Sequence, residues 1–301
     1  VVLRLLIAGG NGHIGSYLSS CFKNDIDITS IDFTTNRPQK NSYFLGLTML
    51  EQVKYFVDQH EKFNALIFLV GLAHEKGKGA DLPIFTEVNY QTLINLLSSL
   101  KSAGKMPEKI IFSSTISVYG ERKSHDVYVE ESTKNPVSPY AVTKLMAEKY
   151  LLTNFKDRAW IMRLSPVYSS SFMLNISRRT KYRERFYKVG NGTAKLSLCN
   201  LNNIVGVIDG IFKDSVPNGV YNISDPIDYC YDDLIKIMGG KEIIRIPRAL
   251  VKLSYLVGKL SGNIFLKENS VKLLTDNTFS SDKIGAFVNL TATIKDIEIK
   301  R

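Results

Sequence analysis

Tyr140 and Lys144 stand four residues apart in Ser138-Pro139-Tyr140-Ala141-Val142-Thr143-Lys144. The Ser-Pro opening starts a helix, and the spacing puts both side chains on one of its faces. A phenol titrating near about 10 is a poor base at neutral pH, but an ammonium beside it favours the phenolate, and the pair becomes a proton-transfer device. Alone, this spacing is common and is more often a surface-helix feature. Here it follows a run ending Ile111-Phe112-Ser113-Ser114-Thr115, whose hydroxyls sit at the carboxyl edge of a sheet, where ligands of open α/β folds bind.

A second constellation lies near the N-terminus. Ala8-Gly9-Gly10-Asn11-Gly12-His13-Ile14-Gly15 directly follows an apolar strand and opens a helix over Ser16–Phe22. A tight turn, a backbone that approaches a pyrophosphate and close helix-to-strand packing each require a residue without Cβ, supplied by Gly9, Gly12 and Gly15. Dinucleotide binding by Gly9, Gly12, His13, Ile14 and Gly15 is expected over a merely structural turn, with the His13 side chain turned off the phosphate. The positive ring of an oxidised nicotinamide would further favour a Tyr140 phenolate. Asp32 ends the second strand about 20 residues beyond the loop, where a carboxylate accepts from a ribose and repels a 2′-phosphate. This favours NAD; Arg37 keeps NADP open, its plainer reading being a solvated loop residue.

The elements that must position these groups follow from apolar patterning. Val2–Ala8, Ile26–Phe33, Ala65–Val70, Lys109–Ser113 and Trp160–Leu164 read as strands, with amphipathic helices over Glu51–His60 and Thr86–Lys101 between them. Near-continuous apolar strands alternating with helices predict an α/β fold, a doubly wound parallel sheet (Rossmann). A smaller C-terminal substrate-binding region is expected to pack on it. Residues 1–164 form the dinucleotide domain, joined by a returning segment near 200–223, and 165–301 form mainly the substrate region. The apolar helix Leu250–Leu260 carries Lys252 and Lys259. A core or interface helix is favoured there over a membrane-surface helix, whose polar face needs more Lys and Arg.

Composition narrows the classes. The 301 residues are 44% hydrophobic and 23% charged, which excludes a disordered chain and a small disulfide scaffold. Cys21, Cys199 and Cys230 form no Cys-x-x-Cys pair, so neither a disulfide framework nor a zinc site is suggested and no metal is expected. No apolar run reaches the length of a membrane span, and a cytoplasmic protein is expected. The net charge of +10 favours anionic partners. Six basic residues against one acid crowd into Arg178–Lys188. That run reads as a solvated helix face, or as a seat for a diphosphate or for anionic lipid, the last suiting a lipid-linked sugar. Tyr182, Phe186 and Tyr187 are too few to make it a nucleic-acid platform.

The motifs in this order resemble the extended short-chain dehydrogenase/reductases, and within them the NAD-dependent nucleotide-sugar epimerases, dehydratases and 4-ketoreductases. The resemblance rests on the glycine loop, Val70-Gly71-Leu72-Ala73-His74, Val88-Asn89, the run Phe112 to Gly120, the run Ser138 to Lys144, and Arg163-Leu164-Ser165-Pro166-Val167-Tyr168. It implies that Thr115 hydrogen-bonds the sugar hydroxyl, that Tyr140 is the acid/base, and that Lys144 holds the nicotinamide ribose. Gly71 joins the cofactor contacts. His74 and Asn175 join the substrate contacts, Asn175 at the diphosphate; a hydrogen-bonded structural role is the plainer reading of His74. Asn89 matches a supporting asparagine, though a helix cap reads as well. The family pattern is departed from at Leu47, Ser165, Ser169-Ser170 and Leu201-Asn202-Asn203-Ile204.

Dehydratases of this family place Asp-Glu after the catalytic threonine. Ile116 and Ser117 stand there, so 4,6-dehydration is not expected. The resemblance leads to a 4-epimerase acting on a nucleotide sugar of the UDP-hexose type for surface polysaccharide, with a 4-ketoreductase as the alternative. From another class, a non-catalytic Rossmann protein sensing a dinucleotide or binding RNA is disfavoured by the intact Thr115, Tyr140 and Lys144. A homodimer is expected by analogy alone.

Overall fold

The five apolar runs form strands at the predicted places in the computed structural model, which describes residues 2–33, 41–73, 81–120 and 126–297. They are β1 (Leu3–Ala8), β2 (Ile26–Asp32), β4 (Ala65–Phe68), β5 (Lys109–Thr115) and β6 (Ala159–Leu164). Two more complete a seven-stranded parallel sheet: β3 (Ser42–Phe44) and β7 (Gly219–Ile223). The order is β7-β6-β5-β4-β1-β2-β3. The chain reverses direction of growth beside β1, which has β2 on one side and β4 on the other. That is the switch point at which α/β sheets take their ligands.

β3 escapes sequence reading because it is a three-residue edge with exposed Tyr43 and Phe44, and β7 because Asn222 interrupts its apolar run. β5 runs two residues past the expected Ser113, to Thr115. Helix His13–Phe22 starts three residues earlier than read. The Thr86–Lys101 helix is composite: Leu82–Thr86, a π-helical turn Glu87–Gln91, then Thr92–Ser102.

Two compact units divide the chain: Val1–Val118, Ser138–Met162 and Pro217–Val220 in one, Tyr119–Val137, Arg163–Val216 and Tyr221–Arg301 in the other. The first has a core of Leu6, Ala8, Leu66, Phe68, Ile110 and Phe112 covered by Leu93, Leu96, Leu97 and Leu100 of the composite helix. Burying both faces of β1, β4 and β5 is what makes their sequences continuously apolar.

The second unit is built on a buried polar hub. The Asp225 carboxylate accepts from the Tyr168 hydroxyl (2.5 Å), the Tyr229 hydroxyl (2.8 Å), the Asn200 amide N–H (2.6 Å) and Asn203 Nδ2 (2.9 Å). Burial pushes its pKa up to about 6, and these donors oppose the rise. The asparagines at 202 and 203 thus stand in a segment where Asn203 serves a carboxylate from elsewhere in the chain.

The basic run is not a helix face. Arg178 and Arg179 end helix Leu174–Thr180, and the remainder forms a hairpin in which Lys181–Tyr182 runs antiparallel to Arg185–Val189, with Arg183 in the left-handed region (φ 54°). Helix Arg248–Leu260 is also not a core helix, because its leucines are exposed. Among the described residues no helix is long and apolar enough to cross a membrane and no cluster of His, Cys, Asp or Glu could hold a metal.

Candidate functional site

The glycine loop connects β1 to helix His13–Phe22, and its geometry excludes side chains. Gly9 has φ +89°, and a Cβ on Gly15 would lie 2.6 Å from the Gly9 carbonyl oxygen and 2.7 Å from Gly10 Cα. Gly10 faces Ser30 as closely, a requirement that the three-glycine reading missed. Gly12 caps the helix without a side-chain acceptor, so the positive end of the helix presents backbone rather than a competing oxygen. Asp32 ends β2 buried, and its Oδ2 accepts from the Asn11 amide N–H at 3.0 Å. Anion-receptive backbone beside a carboxylate at the end of the next strand fits the pyrophosphate and adenosine ribose of a dinucleotide. His74 and Arg37 lie outside the described residues.

The second half of the site hangs on helix Pro139–Asn154. Ser138 caps it, its Oγ accepting from the Ala141 amide N–H, and Pro139 takes the first helical position, where no donor is lost. Tyr140 and Lys144 leave this helix one turn apart. The Thr115 side chain at the end of β5 hydrogen-bonds the Tyr140 phenol, and Thr115 Oγ1 also accepts from the Ser117 amide N–H at 3.2 Å. Lys144 is fully buried, its ammonium donating to the Val70 carbonyl (3.1 Å) and the Ser113 carbonyl (2.9 Å) and lying 4.7 Å from the centre of the Phe112 ring. A side chain on Gly71 would meet Nζ at 3.1 Å.

Burial governs both pKa values. It pushes the Tyr140 phenol up to about 12, against the opposing pull of Thr115. It brings the Lys144 ammonium down to about 7, against the opposing effect of the Glu148 carboxylate. The expected phenolate is therefore not what this arrangement favours by itself. Desolvation of the buried phenol outweighs its hydrogen bond with Thr115, and additional positive charge is needed beside the phenol to lower it.

Two supporting residues complete the arrangement. Buried Asn89, in the π-helical turn, accepts from the Leu72 amide N–H (2.5 Å) and donates to the Leu72 carbonyl (3.2 Å) and to Thr143 Oγ1 (3.1 Å). It is a clamp between the loop after β4 and the Tyr140 helix, not a helix cap. Glu148, one turn beyond Lys144, is buried and accepts from the Ser114 hydroxyl. Sequence reasoning missed it, although its i+4 spacing from Lys144 was the available signal. Asn175 Nδ2 donates to the Val167 carbonyl at 2.8 Å.

Glycine loop, terminal carboxylate and a Thr-Tyr-Lys constellation occur here on one parallel sheet, and residues 5–224 match the NAD dependent epimerase/dehydratase family. The chain belongs to that family. Among curated members it is 24% identical over 274 residues to the dTDP-D-glucose 4,6-dehydratase of Dictyostelium discoideum, covering 78% of this chain and 61% of the relative. It is 27% identical over 177 residues to the UDP-glucose 4-epimerase of Drosophila melanogaster, covering 52% and 50%. The chain thus spans less than two thirds of the length of these two family members. Its fold is shared with MoeE5, whose structure holds UDP-glucose and NAD, at a TM-score of 0.72 and 20% identity, covering 96% of this chain and 93% of that one.

Proposed function

We propose that this chain is an NAD-dependent nucleotide-sugar 4-epimerase acting on a UDP-hexose, of use in building surface polysaccharide. The observation that carries the reading is the Thr115–Tyr140 hydrogen bond one helical turn from a buried Lys144 held on the carbonyls of Val70 and Ser113. Gly9, Gly12, His13, Ile14, Gly15, Asp32 and Gly71 would hold the dinucleotide, with Lys144 at its ribose. Bound NAD would supply the acceptor for the hydride leaving C4 and its return to the opposite face of the keto carbon, and in its oxidised form a positive charge beside the phenol.

The chain's own groups handle the proton. Thr115 orients the C4 hydroxyl, and Tyr140 takes its proton as the phenolate and gives it back to the opposite configuration. Lys144, as its ammonium, stabilises the deprotonated phenol. Asp32 at the end of β2 supports NAD over NADP, since its carboxylate repels a 2′-phosphate. Dehydration has no support in the residues after Thr115. Ile116 and Ser117 occupy the short helical turn Ile116–Tyr119, and neither can act as an acid or base at neutral pH.

The test is to denature the purified protein, identify released dinucleotide by mass spectrometry, and follow interconversion of UDP-glucose and UDP-galactose, then of their N-acetylated counterparts. Near-stoichiometric NAD and interconversion of one pair are expected. An empty protein that binds NADPH more tightly than NADH and reduces a nucleotide 4-keto sugar would replace the epimerase by the 4-ketoreductase.

A further inference from the structure

Helix Arg248–Leu260 follows strand Ile243–Ile246 with only Pro247 between them. Val251 and Gly258 lie on one side of it and are buried. On the opposite side Leu250, Leu253, Leu256, Val257 and Leu260 fall within an arc of roughly 120° at 3.6 residues per turn. Their exposures are 58%, 57%, 52%, 48% and 87%. Arg248, Lys252 and Lys259 align along one border of that arc. A surface helix ordinarily turns its apolar stripe inward and its charges outward. Here the stripe faces out and the charges flank it, and five adjacent large apolar side chains in water mark an interaction surface.

The charge around the helix identifies what covers it. Strand Ile243–Ile246 pairs in parallel with Arg185–Val189, so the helix and the basic hairpin grow from one three-stranded sheet. The two segments 178–188 and 241–263 hold eleven basic residues and two acidic ones, a surplus of nine, where the whole chain has a surplus of ten. At the hairpin turn Tyr182 is 66% exposed and the Arg183 guanidinium lies 5.6 Å from its ring, an aromatic and cationic pairing suited to a bilayer headgroup region. A second copy of the chain would bring two such positive surfaces together, which like-charge repulsion opposes.

We propose that helix 248–260 is an in-plane membrane anchor that lays Leu250, Leu253, Leu256, Val257 and Leu260 on an anionic lipid surface. Lys252 and Lys259 sit at headgroup level beside Arg248, which also donates to the Leu274 carbonyl, and the exposed Arg178, Arg183 and Arg185 add attraction, Lys188 being buried and paired with Asp232. At 13 residues the helix is too short to span a bilayer, which takes about 20, and its outward stripe with one cationic border is the pattern of helices that lie in the interface. The proposal does not depend on the reaction assigned above, and its test reads no turnover.

The 301-residue chain is floated with vesicles of phosphatidylcholine alone and of phosphatidylcholine containing phosphatidylglycerol. Binding to the anionic vesicles only, weakened by salt, is expected. The pair Leu253→Asp and Leu260→Asp should lower partitioning by at least about tenfold, and Lys252→Glu with Lys259→Glu should lower it and flatten its salt dependence. All four side chains are exposed, so thermal melting of the variants should match the parent and confirm that they fold. Absence of flotation with anionic vesicles overturns the proposal, as does a leucine variant that floats like the parent. A dimer in sedimentation velocity that the leucine variant dissociates, without vesicle binding by the parent, would assign the face to a second copy instead.

Discussion

Tyr140 and Lys144 illustrate how strongly burial sets the chemistry of a side chain. A phenol pushed up to about 12 and an ammonium brought down to about 7 are both in their neutral forms more readily than in water. A proton can therefore be moved only when further charge enters the site. Tyr140→Phe keeps the ring and removes the proposed acid/base, so under the proposed mechanism kcat should fall by about 10²–10⁴-fold, while dinucleotide affinity from fluorescence titration stays at the parent value. For Glu148 we propose a role one step removed, as a positioning residue. Its carboxylate raises the Lys144 pKa, so Glu148→Gln should let that pKa fall. The loss of kcat/KM expected at rising pH, as the proposed lysine cation deprotonates, should then begin at a lower pH than in the parent. Glu148→Asp should restore part of the difference, and an unchanged alkaline limb would remove Glu148 from this role.

At the level of elements, the site depends on two loop-to-helix joints. The glycine loop is held by local rules, namely a residue with positive φ, a helix start and a strand end. The Tyr140 helix is held by a contact distant in sequence, since Asn89 binds both the loop at Leu72 and the helix at Thr143. Asn89→Leu leaves the Leu72 amide N–H without its acceptor, and a stability loss of about 1–3 kcal/mol is expected from urea unfolding. Asn89→Asp keeps that acceptor and should lose less. A π-helical turn places Asn89 where it can reach, consistent with the use of such turns at functional positions.

Across the whole molecule, two buried ionisable groups make stability depend on pH with opposite slopes. Asp225 titrates near about 6 when folded, above its ordinary value of 3.8. The folded state then binds more protons between these values, and its contribution to stability declines as pH rises through that interval. Lys144 titrates near about 7 when folded against 10.5 ordinarily. Here the unfolded state binds more protons, and stability increases as pH rises from about 7 toward 10.5. Chemical denaturation across pH should therefore show Asp225→Asn losing the acidic dependence and Lys144→Met losing the alkaline one, relative to the parent. Parallel curves for parent and variant would contradict either assignment.

The amino-acid sequence by itself determined what local geometry and periodicity encode. Strands buried on both faces are apolar throughout, a pyrophosphate loop needs glycine, and Tyr140 and Lys144 share a helix face at i, i+4, so the parallel fold, the dinucleotide loop and the pairing could be read without coordinates. Tertiary structure alone decided what depends on neighbours from distant positions. The Ser114 partner of Glu148, Asn89 as a clamp, and four donors converging on Asp225 have no local signature, because each is made by chain segments that meet only on folding. The same holds for helix 248–260. Its periodicity announces an apolar stripe, but which side of a helix faces inward is set by what packs against it, and here Val251 and Gly258 are buried while the leucines meet solvent.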